Sequence, residues 1–568
     1  MSRFHLIFFL LVLVSCKSSQ KLQTNPIDPF NYSINKKIIA KNGAVASAHP
    51  LASKVGVEIM KQGGNAIDAA IATQLALAVV YPNAGNLGGG GFMVARLANG
   101  ETLSLDYRET APAAAHRDMY LDTEGKVVEG KSIYGHLSSG VPGTVAGLFE
   151  SARYAKLPFK KLIQPAIDLA ENGFAITARE ARSLNNIQDE LNQYNTQPSV
   201  FQKKNSWKEG DTLVQKDLAN TLKRIRDEGH KGFYEGITAR LVVEEMKRGQ
   251  GIMTLEDLKN YRAKWRTPTT FNYKGYTVIS MPMPSSGGTL LQQMMKMVED
   301  QPLAQYGFHS PDAIQLMTEV ERRAYADRSE YMGDADFYKV PAAITTDAYL
   351  KERMKDYVPG VAGNSSKVKP GTIPQVSEET THLSVIDAEG NAVAVTTTLN
   401  NSYGSKTVVG GAGFFLNDEM DDFSAKPGVP NMYGALGGEA NAIEPGKRML
   451  SAMTPTVVLQ NNKAYLVVGT PGGTTIPTSV FQTLINIIDF KMTAEEAVNR
   501  PKFHHQWWPD RIDVEKAFPV TIREALQKMG YAIHERGTIG RTEVIRVLPD
   551  GSFEVVADPR GDDHAEGY

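Results

Sequence analysis

The sequence reads as an α+β protein, and three observations in its 568 residues predict that class. Helical patterning is concentrated before residue 358, while strand-prone runs dominate after Thr380. Between the two regimes, residues 358–379 carry Pro359, Pro370, Pro374, Gly360, Gly363 and Gly371, a loop composition. Short strands such as Tyr276–Met281 fall among the helices, so the pattern predicts a helical layer over a sheet rather than a separate domain.

An apolar content of 42% over this length supports a large core. The formal net charge of -2, with mixed signs along the chain, offers no basic field and excludes a nucleic-acid partner. The single cysteine, Cys16, rules out a Cys-rich metal site. Arg3 precedes an apolar run from Leu6 to Val14, too short to span a bilayer but suited to a signal-peptide core. The run ends in Leu13-Val-Ser-Cys16, which resembles the bacterial lipoprotein cleavage box. Residues 1–15 are then a signal peptide, Cys16 becomes the lipid-modified N-terminus, and the polar stretch to residue 37 is a tether. The expectation is an exported protein, in the periplasm or at the cell surface, held to the membrane by its lipid anchor only.

In the body of the chain, apolar residues from Leu51 to Met60 recur at helical spacing, and Gly63-Gly64 stops that helix. Ala66–Val80 is almost wholly apolar, as in a helix buried on most sides, and Tyr81-Pro82 ends it. Gly85–Gly91 lacks the Gly-Lys-Ser/Thr ending of a phosphate cradle and the dinucleotide fingerprint, so its glycines serve close backbone packing. Further helices are predicted at Leu162–Glu171 and Pro311–Arg328. His504-His505 beside Trp507-Trp508 reads as packing, because adjacent histidines point to different sides and no third ligand is spaced to help.

The most informative stretch runs from Glu378 to Asn400. Thr380–Asp387 and Ala392–Leu399 flank Ala-Glu-Gly-Asn and predict a hairpin. Counting back from the turn sets Thr380 opposite Thr398 or its neighbours, about 4.5–5.5 Å apart at Cβ. Cleavage before Thr380 would leave an α-amine with an unperturbed pKa of about 7.7–8 beside its own Oγ, able to act as general base on it. His382 shares that face of the strand and receives no role.

Thr380-Thr-His-Leu-Ser-Val with Gly390-Asn-Ala-Val-Ala-Val-Thr-Thr-Thr-Leu-Asn400 resembles the nucleophile hairpin of the γ-glutamyltransferases, which are also glutathione hydrolases. The resemblance extends to Gly85-Asn-Leu-Gly-Gly-Gly-Gly-Phe92, Asp106-Tyr-Arg-Glu-Thr-Ala-Pro112, Gly140-Val-Pro-Gly143, Pro284-Ser-Ser-Gly-Gly288, Asn417-Asp-Glu-Met-Asp-Asp-Phe423 and Pro471-Gly-Gly473, in family order. It implies an N-terminal nucleophile hydrolase, a four-layer αββα sandwich with two stacked antiparallel sheets between helical layers. The central strand Phe92–Leu97 follows the glycine loop, and Thr102–Asp106 delivers Arg108.

By the same resemblance, Thr380 attacks the Glu379 carbonyl, and residues 38–379 and 380–568 become the large and small subunits of one globular unit. Thr380 then attacks γ-glutamyl amides such as glutathione and passes the acyl group to water or to an acceptor amino acid or peptide. No cofactor or metal is implied. Thr398 supports the nucleophile, and the amides of Gly472 and Gly473 form the oxyanion hole. Arg108 clamps the substrate α-carboxylate, and Asn400, Glu419 and Asp422 take the α-ammonium, while Asp421 is left as a turn residue. Ser451 completes the pocket, and Tyr433 is a lid residue.

One departure stands out. The family usually has Ser-Ser before Met, whereas this chain has Ser451-Ala452-Met453. A missing hydroxyl to a charged group loses about 1.5–3 kcal/mol if nothing replaces it. That leaves open a related acylase acting on glutaryl-type amides. A non-catalytic surface-binding lipoprotein is the alternative from another class, disfavoured by the intact site residues.

Overall fold

The computed structural model describes residues 27–369, 381–426 and 439–568. Strands β1 (Lys37–Ala40) and β2 (Gly43–Ser47) precede helices α1 (Pro50–Lys61) and α2 (Ala66–Val80), then β3 (Gly90–Arg96) and β4 (Thr102–Asp106). After helix α3 (Phe159–Asn172) come β5 (Lys264–Trp265), β6 (Thr269–Tyr273) and β7 (Tyr276–Ser280), then helices α4 (Gly287–Glu299) and α5 (Pro311–Tyr331). The hairpin β8 (Thr381–Asp387) and β9 (Ala392–Thr398) leads to β10 (Thr456–Gln460), β11 (Lys463–Gly469) and helix α6 (Thr475–Ile488). β12 (Glu543–Val547), β13 (Phe553–Val556) and β14 (His564–Gly567) close the chain, with shorter elements between.

Two seven-stranded antiparallel sheets result, ordered β14-β2-β8-β9-β3-β4-β5 and β1-β13-β12-β11-β10-β7-β6. Strands from before and after the 370–380 segment stand in both sheets, so neither part of the chain holds a sheet of its own. The alternation of side chains along each strand then sorts the core into layers. On β9, Val393 and Val395 face α2, in a cluster that also takes in α1 and α3, while Ala392 and Ala394 face the other sheet. Across that gap stand Ile279, Val457, Val467, Ile545 and Val555. The outer faces of β10 to β12 pack on α4, α5 and α6. The order of layers is helix, sheet, sheet, helix, as the family resemblance implied.

Helix α2 spans the residues its composition predicted, and all of them are buried. Its first turn is closed by a reciprocal cap, Asn65 Oδ1 accepting from Asp68 N–H at 3.0 Å and Asp68 Oδ2 from Asn65 N–H at 2.8 Å. The hairpin tip is tied to the same helix end. Asp387 Oδ1 accepts from the amides of Glu389 (2.9 Å) and Asn391 (3.0 Å), and its Oδ2 accepts from Asn391 Nδ2 (2.7 Å) and the Ala66 amide (2.8 Å). The register pairs Thr381 with Thr397, consistent with the count made from the turn.

Three histidines are buried as neutral imidazoles. Burial lowers His382 and His504 to about 3 and His505 to about 4. His504 is held by Thr478 Oγ1 at 2.8 Å and Gln506 Oε1 at 2.9 Å, and among the described residues no group of three metal-ligating side chains occurs.

Two outcomes follow for stability. Asp387→Ala strips four donors of their acceptor and should lower stability by about 3 kcal/mol or more, measured by urea denaturation; an unchanged midpoint would show that the hairpin tip does not depend on it. The buried histidines have folded pKa values below the unfolded value of about 6.5, so their contribution is intact above pH 6.5 and is lost as pH falls toward 3. Stability should decline between pH 7 and 5 with a slope approaching one proton per histidine, about 1.4 kcal/mol per pH unit each. His504→Gln should remove one such proton from the slope.

Candidate active site

Several backbone segments converge at one end of the sheets, and each is placed by hydrogen bonds that its own sequence supplies. The glycine loop comes first. Asn86 donates through Nδ2 to Thr397 Oγ1 at 3.1 Å and to the Thr398 carbonyl at 2.7 Å, stapling the loop to the end of β9. A Cβ at Gly89 would lie 2.0 Å from the Thr398 oxygen, so only glycine permits this approach.

The second segment leaves β4. Asp106 Oδ1 accepts from the Arg108 amide at 3.0 Å, its Oδ2 accepts from Arg266 at 2.9 Å, and Arg448 lies 3.2 Å from Oδ1. The backbone at Arg108 is therefore fixed before its side chain is considered. That guanidinium is fully buried. Nη1 lies 2.6 Å from Glu419 Oε2, Nη2 pairs with Asp422 Oδ2, Nε donates to the Met449 carbonyl at 3.4 Å, and Glu109 Oε2 is 3.6 Å away.

Glu419 and Asp422 sit on a single 3-10 turn, Glu419–Asp422. Asn417 holds its entrance. Its Oδ1 accepts from the amides of Gly140 (2.8 Å) and Glu419 (3.1 Å), and its Nδ2 donates to the carbonyls of Gly88 (2.8 Å) and Gly140 (2.9 Å). Asn441 holds the exit, donating to the Asp422 carbonyl at 2.6 Å and accepting from the Leu450 amide at 2.9 Å. Asp421 turns away to accept from Ser132 Oγ at 2.5 Å.

Asn400, at φ +73°, connects the hairpin to this turn. Its amide donates to Thr398 Oγ1 at 2.7 Å and its Nδ2 to the Asp418 carbonyl at 3.0 Å. Asp418 itself is fully buried, and burial pushes its carboxyl well above the usual carboxylate range. Ser451 lies beside the turn, with its amide donating to the Pro284 carbonyl at 2.8 Å and its Oγ accepting from Met453 N–H at 3.1 Å. Ala452 is fully buried in the same segment.

The last segment is the loop between β11 and α6. Gly472 has φ +133° and Gly473 φ +64°, and the Gly472 carbonyl accepts from Thr475 N–H (3.1 Å) and Thr475 Oγ1 (2.7 Å). The two glycine amides donate to no backbone carbonyl among the described residues and precede the positive end of a 14-residue helix. Helix α5 joins this loop to the Ser451 segment: Tyr325 OH donates to the Thr474 carbonyl, and one turn later Arg328 Nε donates to Ser286 Oγ at 2.7 Å. Ser286 Oγ in turn donates to the Ser451 carbonyl at 2.7 Å.

Of the residues expected from sequence, Arg108, Thr398, Asn400, Glu419, Asp422, Ser451, Gly472 and Gly473 therefore fall in connected segments at one end of the sheets. Thr380, Tyr433 and Cys16 lie outside the described residues. Sequence reasoning gave no role to Asn86, Asp106, Asn417, Asp418 and Asn441. Asn86, Asp106, Asn417 and Asp418 stand inside the motif blocks of the family resemblance, beside residues that were assigned, and that adjacency was the available signal. The chemistry open to this arrangement is recognition of a head group bearing both charge signs beside a pair of oriented amides.

The family model described as Gamma-glutamyltranspeptidase matches residues 52–568. The chain is 46% identical over 553 residues to the glutathione hydrolase proenzyme of Escherichia coli (strain K12), covering 96% of this chain and 95% of that one. It is 46% identical to the glutathione hydrolase proenzyme of Pseudomonas aeruginosa over 91% of its own length and 93% of that protein's. Among solved structures, cephalosporin acylase from Bacillus halodurans superposes with a TM-score of 0.83 at 26% identity, over 96% of this chain and 99% of that one. Helicobacter pylori gamma-glutamyltranspeptidase superposes at 0.56 with 46% identity, over 61% of this chain and 97% of that one. The matched residues take in every segment of this site, and on that footing the chain belongs to the gamma-glutamyltranspeptidase family.

Proposed function

We propose that the chain is a gamma-glutamyltransferase and glutathione hydrolase, matured by its own cleavage between Glu379 and Thr380. One observation carries the reading: a fully buried guanidinium, Arg108, in direct contact with Glu419 and Asp422 at the end of the nucleophile hairpin. A buried charge persists only with partners. A γ-glutamyl head presents an α-carboxylate and an α-ammonium side by side, the charge complement of this cluster. Arg108 receives the carboxylate through its planar fork, with Ser451 beside it, and Glu419, Asp422 and Asn400 receive the ammonium.

The cycle then follows from the chemistry of an N-terminal threonine. The α-amine of Thr380 takes the proton from its own Oγ, with Thr398 holding the hydroxyl, and Oγ attacks the γ-carbonyl. Negative charge developing on the carbonyl oxygen is met by the amides of Gly472 and Gly473, each such donor being worth about 2.7–4 kcal/mol in comparable sites. The amine half departs with the proton held by the α-amine. Water or the amino group of an acceptor amino acid or peptide then opens the acyl ester. The family resemblance gives Tyr433 the role of a lid residue. Neither metal nor cofactor takes part. Export through the Leu13–Cys16 box, with lipid attached at Cys16, would place the enzyme at a membrane surface in the periplasm or outside the cell. Among the described residues no helix is long and apolar enough to cross a membrane.

Ala452 bears on acyl specificity, because the buried segment offers one hydroxyl, on Ser451, where two are usual in the family. A γ-glutamyl anilide compared with a glutaryl anilide separates the readings: the γ-glutamyl substrate should be turned over faster, and Asp422→Asn should narrow the gap. Preference for the glutaryl compound would assign the chain to the acylases. Ala452→Ser should lower KM for the γ-glutamyl anilide about tenfold with little change in kcat, in line with one added bond to a charged group. On a denaturing gel the wild-type protein should give two bands and Thr380→Ala one full-length band without turnover; an uncleaved wild-type chain that still releases the chromophore would sink the mechanism.

A further inference from the structure

Behind the Gly472–Gly473 loop lies a buried ionisable network that the mechanism above does not use. Glu543, the first residue of β12, stands opposite Gly469 at the end of β11 and is fully buried, as is Asp563. The two carboxyl groups are within hydrogen-bonding reach of each other, and among the described residues no N–H or O–H donor reaches any of their four oxygens. Two adjacent buried carboxylates without donors cannot both be ionised, so the pair holds a proton. Burial and the neighbouring carboxylate both push Glu543 upward.

The network reaches the catalytic loop in three steps. Asp563 Oδ1 lies 3.6 Å from Arg541 Nη1, and Arg541 Nη2 donates to Tyr81 OH at 2.7 Å. The Arg541 amide donates to Thr470 Oγ1 at 2.7 Å, and that hydroxyl donates to the Pro471 carbonyl at 2.8 Å, immediately before Gly472. Packing leaves the loop little freedom, since a Cβ at Gly472 would lie 3.3 Å from Gly540 Cα. On the other side, the Glu543 carbonyl accepts from Ser384 Oγ of β8 at 3.2 Å, whose neighbour on that face is His382. The remaining charges facing the pair are Asp558, with Lys502 and Arg560, and Lys36, whose Nζ donates to the carbonyls of Asp558, Gly561 and Asp563.

We propose that the buried carboxyl pair Glu543 and Asp563, together with Arg541 and Thr470, forms a positioning unit that orients the Gly472 and Gly473 amides for catalysis. The proposal rests on the reading of those amides as the oxyanion hole. Glu543→Gln reproduces the neutral donor and removes the titration, whereas Asp563→Asn leaves Arg541 without its carboxylate.

The test uses the full-length processed enzyme, with kcat counted per cleaved chain and KM measured on a γ-glutamyl anilide. Asp563→Asn should lower kcat at least tenfold with KM within twofold, because head-group binding by Arg108 is separate. Wild type should lose kcat at alkaline pH as the shared proton leaves, and Glu543→Gln should keep kcat within about twofold of wild type at neutral pH and lack that decline. Thr470→Val should lower kcat as Asp563→Asn does. A Glu543→Gln enzyme that fails to fold or to be cut, or that keeps the wild-type alkaline limb, overturns the proposal. If Thr470→Val lowers kcat but Asp563→Asn does not, the carboxyl–arginine link alone is wrong; if neither changes kcat, the positioning unit is wrong, while the oxyanion reading of the two amides fails only if the processed wild-type enzyme does not turn over the γ-glutamyl anilide.

Discussion

A guanidinium with no solvent exposure, held against carboxylates from a turn more than three hundred residues further along the chain, is the constraint around which the rest of this structure is arranged. Removing one partner of a buried ion pair costs about 3–5 kcal/mol, because the remaining charge is stranded in a medium that solvates it poorly. The surrounding asparagines and Asp106 make sense as the means of meeting that condition. Asp106 fixes the backbone at Arg108, Asn417 and Asn441 fix the two ends of the acidic turn, and Asn400 ties the turn to β9.

The hairpin sits centrally in its sheet. β8 and β9 are flanked by β2 and β3, and both of their faces are covered, one by helices and one by the second sheet. A one-residue slip of β9 would exchange its alanine face for its valine face and withdraw Val393 and Val395 from the helical side. Register is thereby set by packing along the apolar length of the strands. At the catalytic end the inter-sheet face changes character to His382, Ser384 and Thr396, a polar patch satisfied internally, with His382 Nδ1 2.9 Å from Thr396 Oγ1 and Nε2 3.1 Å from Ser384 Oγ.

Interleaving of strands from both sides of the 370–380 segment has a mechanical consequence. A cut there would leave each product with strands lying between strands of the other, so hydrogen bonds and three shared apolar layers hold the two together without a covalent link. Cleavage there removes a connection and leaves the packing in place.

Arg108, Glu419, Asp422, Gly472 and Gly473 came into view through the family resemblance of their motif blocks; local pattern alone was enough for the α+β class, helix α2, the hairpin and its turn, and the close-packing role of the glycine loop. Each of those depends on neighbours a few positions apart, through helical spacing, strand alternation or turn chemistry. The pairing of Arg108 with Glu419 and Asp422, the clasp of Asp387 on Ala66, the staple of Asn417 across three segments and the Glu543–Asp563 contact were settled only in the folded chain. These join positions up to three hundred and more residues apart, and no periodicity encodes them. They are chosen by which polar groups end up buried together and must satisfy one another there.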